Sequence, residues 1–472
     1  MLKNSLLPVV ILFTVMLHAD PGFDIYFLPK TLRLDYFHTG DYQSDIYSFD
    51  EVYQEPVWAG KHTDLIDDTN LGKYLFEVFD VKYGSLIYSR GFCTIFGEWQ
   101  TTDQARKIKR TFSESIRFPW PRSAVKVVFS KRDSVNEFQQ IWSIELDPAE
   151  VNYIRQETMT DIPITPLMIH GEPREKVDVV MLPDGYTEKE MKKFHRDAKR
   201  LLKELFSTEP FKTHKKKFNV RTVDLPSNES GIDNPRKGIY KDNALAGSFN
   251  AFGSDRYVLT WDNKTIRKAA ARVPYEHIYI LINSTKYGGG GIFNLYSTCV
   301  SDNKWSEYIF VHEFGHSFGG LGDEYYTSET AYNDFYPPDV EPWEPNLTTA
   351  KNPDQLKWRD LLEPGTQVPT NWNKSEFDST QSAYRRQRND LWSKKAGQEE
   401  IDLLIQENDH WVHDFLRCND NWGKVGVYEG GGYASKGIYR PYLDCRMFTR
   451  SLTGFDPVCS RALENIIELY SE

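Results

Sequence analysis

Long apolar runs are scarce in this chain. Beyond its first residues, no stretch stays apolar for the roughly 20 residues a helix needs to span a bilayer. A basic surplus is also missing: 57 Lys and Arg stand against 68 Asp and Glu, a formal net charge of -11. That balance argues against a general nucleic-acid binder, whose affinity depends on neutralising phosphates. The short run Lys215-Lys216-Lys217 reads as a solvated helix end. Cysteine is sparse, with five in 472 residues. The odd count leaves at least one thiol unpaired within the chain. Their spacing does not fit a cysteine-rich zinc site. Cys445 with Cys459 and Cys418 with Cys445 both remain open as disulfide pairs. No long disordered tract is present. Hydrophobic residues make up 40% and aromatics 14%, which places the chain among globular proteins large enough for two or three domains.

Residues 1–19 differ from the rest. Lys3 supplies a positive start, Leu6 to Leu17 is apolar, and Ala19 suits a cleavage site. This pattern reads as a secretory signal peptide. No lipobox cysteine follows it. The expectation is an exported mature chain without a transmembrane segment, placed in the periplasm, on the cell surface or outside the cell.

From residue 20 to 160 the pattern is strand-like. Thr31 to Tyr36, Lys73 to Asp80, Ala124 to Phe129 and Ile141 to Leu146 alternate between apolar and polar residues. Tyr83-Gly84 and Phe118-Pro119-Trp120-Pro121 read as turns between them. Short strands with a period of two imply an N-terminal β-sandwich. The aromatic stretch from Tyr88 to Gln100 reads as core, with a binding surface around Glu98 as the alternative.

Asp147 to Arg174 carries Pro163, Pro166 and Pro173 and reads as a linker. The pattern then changes. Val177 to Leu182 reads as a buried strand. Thr187 to Phe206 reads as an amphipathic helix, opened by Thr187 with Glu190 as a capping box. Phe218 to Val223 and Ile278 to Ile282 read as further strands. Strand, helix and strand in that order imply an α/β layer, so the whole is an α+β multidomain chain with a second domain over 161–472. Residues 227–256 read as a surface loop, within which Asp233, Asn234 and Asp242 are cation candidates without calcium-loop spacing. The glycine run Tyr287 to Phe293 is either an edge strand open to an extended peptide or a connector.

The stretch that carries chemistry is Tyr308 to Tyr326, containing His312-Glu313-Phe314-Gly315-His316. Residues four apart share one face of a helix, so the two imidazoles can meet one zinc ion. Glu313 between them suits a general base acting on water. The helix should run from Asn303 or Lys304 to Phe318 and end at Gly319-Gly320. A catalytic zinc takes three protein ligands. The third should follow the glycine turn, as Asp323, with Glu324 as the alternative. His410 and His413 form a second pair without a third ligand or an acid in a recognisable pattern.

The motif resembles that of the metzincin clan of zinc endopeptidases, with one departure. The clan's spacing would put the third ligand at Gly322, and here it falls one residue later. That departure is similar to the bacterial IgA-peptidase family, whose string HEFGHSF-x-GL-x-DEYY matches His312 to Tyr326. The resemblance continues in Leu32 to Gly40, Phe96 to Thr102, Tyr428 to Tyr433 and Tyr439 to Met447. It implies a metzincin-like α/β zinc-peptidase domain, bound Zn2+, and a protein or peptide substrate. It also implies that Met447 forms a turn beneath the metal. In the implied mechanism Tyr439 or Arg440 helps to hold the oxyanion. The alternatives are a binding or adhesion protein with a degenerate peptidase domain, and a zinc hydrolase of non-peptide amides.

Overall fold

A computed structural model describes residues 22–150, 152–156, 161–326, 339–394, 397–451 and 453–472. The expected signal peptide lies outside them. After a short helix, α1 (Phe23–Tyr26), come β1 (Phe27–Gly40), β2 (Asp45–Glu55), β3 (Tyr74–Asp80) and β4 (Leu86–Phe92). A five-residue helix α2 (Ile95–Trp99) precedes β5 (Arg110–Pro121), β6 (Val125–Arg132), β7 (Phe138–Leu146) and β8 (Ile154–Gln156). They form two four-stranded sheets, ordered β5-β1-β2-β8 and β4-β3-β6-β7. Alternate residues of both sheets, including Leu32, Leu34 and Tyr36 of one and Phe76, Val78, Val127 and Phe129 of the other, enter one buried cluster. The period-two strands therefore make the N-terminal region β-rich and sandwich-like. The Phe118 to Pro121 segment ends β5 rather than forming a turn: Phe118 pairs with Leu32, and Trp120 with Leu28. Between those two pairs the ladder is irregular, at Leu28 to Thr31, where proline's missing donor is tolerated.

The second region is built on a six-stranded sheet. Its strands are β9 (Ile164–Met168), β10 (Val177–Asp184), β11 (Phe218–Val223), β14 (His277–Ile282), β15 (Gly289–Ile292) and β16 (Tyr296–Val300). Two-residue strands β12 (Gly247–Ser248) and β13 (Leu259–Thr260) pair separately. The order is β15-β16-β14-β10-β11-β9. β11, β10, β14 and β16 run parallel, and the two edge strands run against them. The expected linker thus contains β9, whose Pro166 is accommodated because an edge strand has one unpaired side. Helix α3 (Met191–Leu205) follows a capping box at Thr187, which donates from its backbone N–H to Glu190 Oε2 at 2.9 Å. α4 (Asn263–Ala270), α5 (Ser306–Gly319) and α8 (Pro457–Tyr470) complete the layers around the sheet. Two 20-residue helices, α6 (Lys374–Ser393) and α7 (Gln398–Arg417), pack on each other through Phe377 against Trp411 and Phe415. A hairpin of β17 (Tyr428–Gly431) and β18 (Ala434–Arg440) follows. No described helix is long and apolar enough to cross a membrane.

The two regions share side chains. Leu71, Ile95, Phe96, Trp99 and Phe112 belong to the same buried cluster as the six-stranded sheet. Polar contacts reinforce the joint. Arg117 donates to the Tyr275 carbonyl at 2.7 Å and stacks on its ring. Behind it, buried Arg33 donates to Asp35 at 2.9 Å and Glu55 at 3.0 Å, while Glu55 also accepts from Arg117 at 2.9 Å. Burial works against the Arg33 charge, but Glu55 and Asp35 hold the guanidinium above its ordinary value. Breaking a buried pair costs far more than the pair contributes, because one charge is stranded. Glu55→Ala should therefore destabilise the chain by about 3–5 kcal/mol, read as a lower denaturant midpoint with an unchanged slope.

Candidate metal centre

Helix α5 is buried on nearly every face. Ile309, Phe310, Val311, Phe314 and Phe318 enter the core, and Tyr279 donates to the Phe310 carbonyl at 2.9 Å while its ring stacks on the Phe310 ring. A helix buried on most faces is a core element, and this one packs against β15 and β16. The close approach has a sequence cause. A Cβ on Gly291 would lie 2.3 Å from the Glu313 carbonyl oxygen. The helix begins two or three residues later than expected, at Ser306, and ends as expected, at Gly320 with φ 63°. That turn brings the Leu321 carbonyl back to His316.

The two imidazoles are oriented by their Nδ1 atoms. Nδ1 of His312 meets the Arg446 carbonyl at 3.0 Å, and Nδ1 of His316 meets the Leu321 carbonyl at 2.6 Å. A carbonyl can only accept, so each Nδ1 carries the proton and each Nε2 keeps its lone pair free. The two Nε2 atoms lie 3.1 Å apart. Asp323 Oδ1 lies 3.1 Å from the first and 3.2 Å from the second. Three electron-pair donors thus face one point with no hydrogen between them. Asp323 Oδ1 is buried and has no hydrogen-bond partner. Tetrahedral ligands about 2.0–2.1 Å from a zinc ion would be roughly 3.3 Å apart, so the triangle fits such an ion closely. Burial disfavours charge on His316, yet Asp323 beside it takes the imidazole up to about 9. Burial likewise opposes the Asp323 charge, and His316 and His312 override it, holding the carboxyl well below its usual range.

Glu324 is not in this group. Its carboxylate turns the other way and accepts from Asn346 Nδ2 at 2.9 Å. Glu313 lies on the open side, half-buried. Desolvation raises its pKa, and His312 and His316 oppose the rise. Met447 sits beneath the helix, its Sδ so close that a Cβ on Gly315 would be 2.9 Å away. The structure does not bring Tyr439 or Arg440 to the centre. Tyr439 packs against the separate cluster of Leu356, Trp358, Val427 and Val458. Arg440 is buried under Phe448 and Trp372. The two are adjacent on β18 and point to opposite faces, each packed against its own aromatic neighbours.

Two tyrosines that sequence reasoning did not single out occupy that place. Tyr433 donates its hydroxyl to Asp323 Oδ2, and its N–H donates to the Tyr325 carbonyl at 3.0 Å. Tyr433 adopts φ 64°, an unusual backbone for a non-glycine residue. The Tyr325 hydroxyl accepts from Arg256 at 3.1 Å. Both tyrosines lie in stretches that carry the family resemblance, but nothing in the sequence tied them to Asp323. Arg256 lies in a polar loop with no local signal at all.

The group opens into a cavity of about 360 Å³ lined by both regions. Glu98, Lys73 and Arg132 come from the N-terminal side, facing Arg256, Glu313 and Tyr433. Burial, with Lys131 nearby, pulls the Lys73 ammonium down to about 8. The aromatics from Tyr88 to Trp99 are largely core as expected, while Glu98 reaches the cavity and accepts from the Tyr257 hydroxyl at 2.5 Å. The glycine run forms β15, an edge strand. Its outer side is occupied at Gly289 by the backbone of Arg256 and Val258. The other candidates form no such centre. His413 contacts Arg417 at 3.2 Å, and Asp233 accepts from the Lys241 N–H at 2.6 Å. Among the described residues, neither joins a group of metal-ligating side chains.

Residues 165–467 match the family model described as IgA Peptidase M64, and residues 22–143 match the model described as Peptidase M64 N-terminus. The chain belongs to the IgA peptidase M64 family. A search of curated proteins finds no match to it. Membership in this peptidase family makes a protein or peptide the class of substrate. In this M64 chain the Tyr433 hydroxyl orients the Asp323 carboxylate, and partners of that kind tune the affinity of a group that can hold a metal. Tyr433→Phe should weaken metal binding by about 10–100-fold, measured by competition with a chromophoric chelator. An unchanged affinity would remove Tyr433 from that role.

Proposed function

We propose that this M64 chain is a zinc-dependent endopeptidase with a metzincin-like catalytic domain over 161–472, exported by a signal peptide at residues 1–19 and preceded by a β-sandwich domain over 20–160. The observation that carries the reading is the triangle of His312 Nε2, His316 Nε2 and Asp323 Oδ1, placed beside Glu313 on the wall of an open cavity. Those three residues would hold the ion. Zinc bound there supplies Lewis acidity, polarising a peptide carbonyl and acidifying water.

The remaining steps belong to the chain. Glu313 accepts the proton of the attacking water, a role eased by a pKa already raised through burial. It then returns that proton to the departing amine. Arg256 lines the cavity, and this donor is better placed than Tyr439 to face charge developing on the carbonyl oxygen. The N-terminal wall, with Glu98, Lys73 and Arg132, excludes water from one side of a bound peptide and sets which side chains fit. An intact Glu313 supports catalysis over a degenerate binding protein, because a pure binding role gives no reason to hold a carboxylate there.

Glu313→Ala should retain bound zinc and lose at least about 10²-fold in cleavage of an unfolded protein substrate, followed by gel and mass spectrometry. A chelator should abolish cleavage by the native chain, and added zinc should restore it. Cleavage that persists in the variant would sink the base assignment.

A further inference from the structure

We propose that Glu324, Cys445, Asp456 and Cys459 form a second, structural zinc site directly behind the first. These four residues come from three separate stretches: the loop after α5, the segment leading into Met447, and the start of α8. Their ligand atoms all lie within 4.8 Å of one another. Glu324, Cys445 and Cys459 are 0% exposed, and Asp456 is 3% exposed. Two oxygens in this dry cluster, Glu324 Oε2 and Asp456 Oδ2, have no hydrogen-bond partner. Buried polar atoms are rarely left so, and here two occur side by side.

The used atoms are arranged as the supports of a metal site. Glu324 Oε1 is held by Asn346 Nδ2 at 2.9 Å. Asp456 Oδ1 caps α8, accepting from Val458 N–H at 2.7 Å and Cys459 N–H at 3.1 Å. Cys445 Sγ faces the N–H groups of Asp456 at 3.4 Å and Met447 at 3.5 Å. Amide donors aimed at sulfur stabilise a thiolate. The Cys459 thiol now donates to Glu324 Oε1 at 3.2 Å. Binding a divalent ion would release the protons of both thiols, and the ion would take their place.

The donor set selects the ion. Thiolates disfavour calcium and magnesium, which take oxygen ligands. Four protein ligands with no access to solvent describe a closed structural zinc site rather than a catalytic one. The anionic cluster is partly offset by the positive end of α8 and by buried Arg440, which feels the Glu324 charge while its own side-chain hydrogen bonds run to the Glu429 and Gly430 carbonyls. Such an ion would tie together the pieces that place the first centre. Glu324 follows Asp323, and its N–H donates to the Met447 carbonyl at 3.0 Å. Cys445 precedes Arg446, whose carbonyl orients His312.

Zinc content of the full-length chain distinguishes the two sites. The native chain should carry about two ions, and the His312→Ala/His316→Ala variant should keep about one. Cys445→Ser/Cys459→Ser should lose that remaining ion when combined with the histidine changes. Because loss of both thiols can also unfold the region, cobalt in the histidine variant gives an independent reading: thiolate-to-cobalt charge-transfer absorption should appear in the near ultraviolet. A histidine variant free of zinc, a cobalt spectrum without that band, or a Cys445–Cys459 disulfide in a non-reducing peptide map would each overturn the proposal. None of these outcomes depends on whether the chain cleaves peptides.

Discussion

Three electron-pair donors held 3.1–3.2 Å apart around one point are the constraint on which this structure turns. Such an arrangement is repulsive unless a cation or a shared proton sits at its centre, so the surrounding fold must hold it against that repulsion. Backbone carbonyls of Leu321 and Arg446 fix the two rings. The Tyr433 hydroxyl fixes the carboxylate. Each of these supports comes from a different part of the chain. The turn after α5, the β17–β18 hairpin and the Met447 segment therefore belong to one unit, although more than a hundred residues separate the first from the last.

The N-terminal region takes part in that unit from the other side. Its sheets form their own core, yet Phe96, Trp99 and Phe112 join the core of the second region. Arg117 and Tyr275 close the joint. A cavity bounded by both regions cannot keep its shape if either moves as a free body. The buried charges around Glu55 lie within the N-terminal region and hold Arg117, which reaches across the joint to the Tyr275 carbonyl.

The strongest local signals in the chain were legible. Thr187 with Glu190, the glycine stop after α5 and the apolar runs Val177 to Leu182 and Phe218 to Val223 are short-range patterns, and each formed the element expected. The failures have a common cause. Pro119, Pro121 and Pro166 looked like breakers because a sequence does not reveal which strand lies at an edge or beside an irregular ladder. Tyr439 entered only as an oxyanion helper in the mechanism that the resemblance implied, and its side chain packs toward Trp358 and Leu356.

By itself, the sequence determined the chemistry at its strongest motif: two histidines one helical turn apart, an acid between them, and a carboxylate after a glycine turn. Those relations are local and follow from helix periodicity. Which of Asp323 and Glu324 faces the histidines, which tyrosine meets the carboxylate, and what surrounds Cys445 and Cys459 were decided only by the tertiary structure. Adjacent residues on an extended segment point to opposite sides, and only the packing of α5, α8 and the hairpin determines what waits on each side.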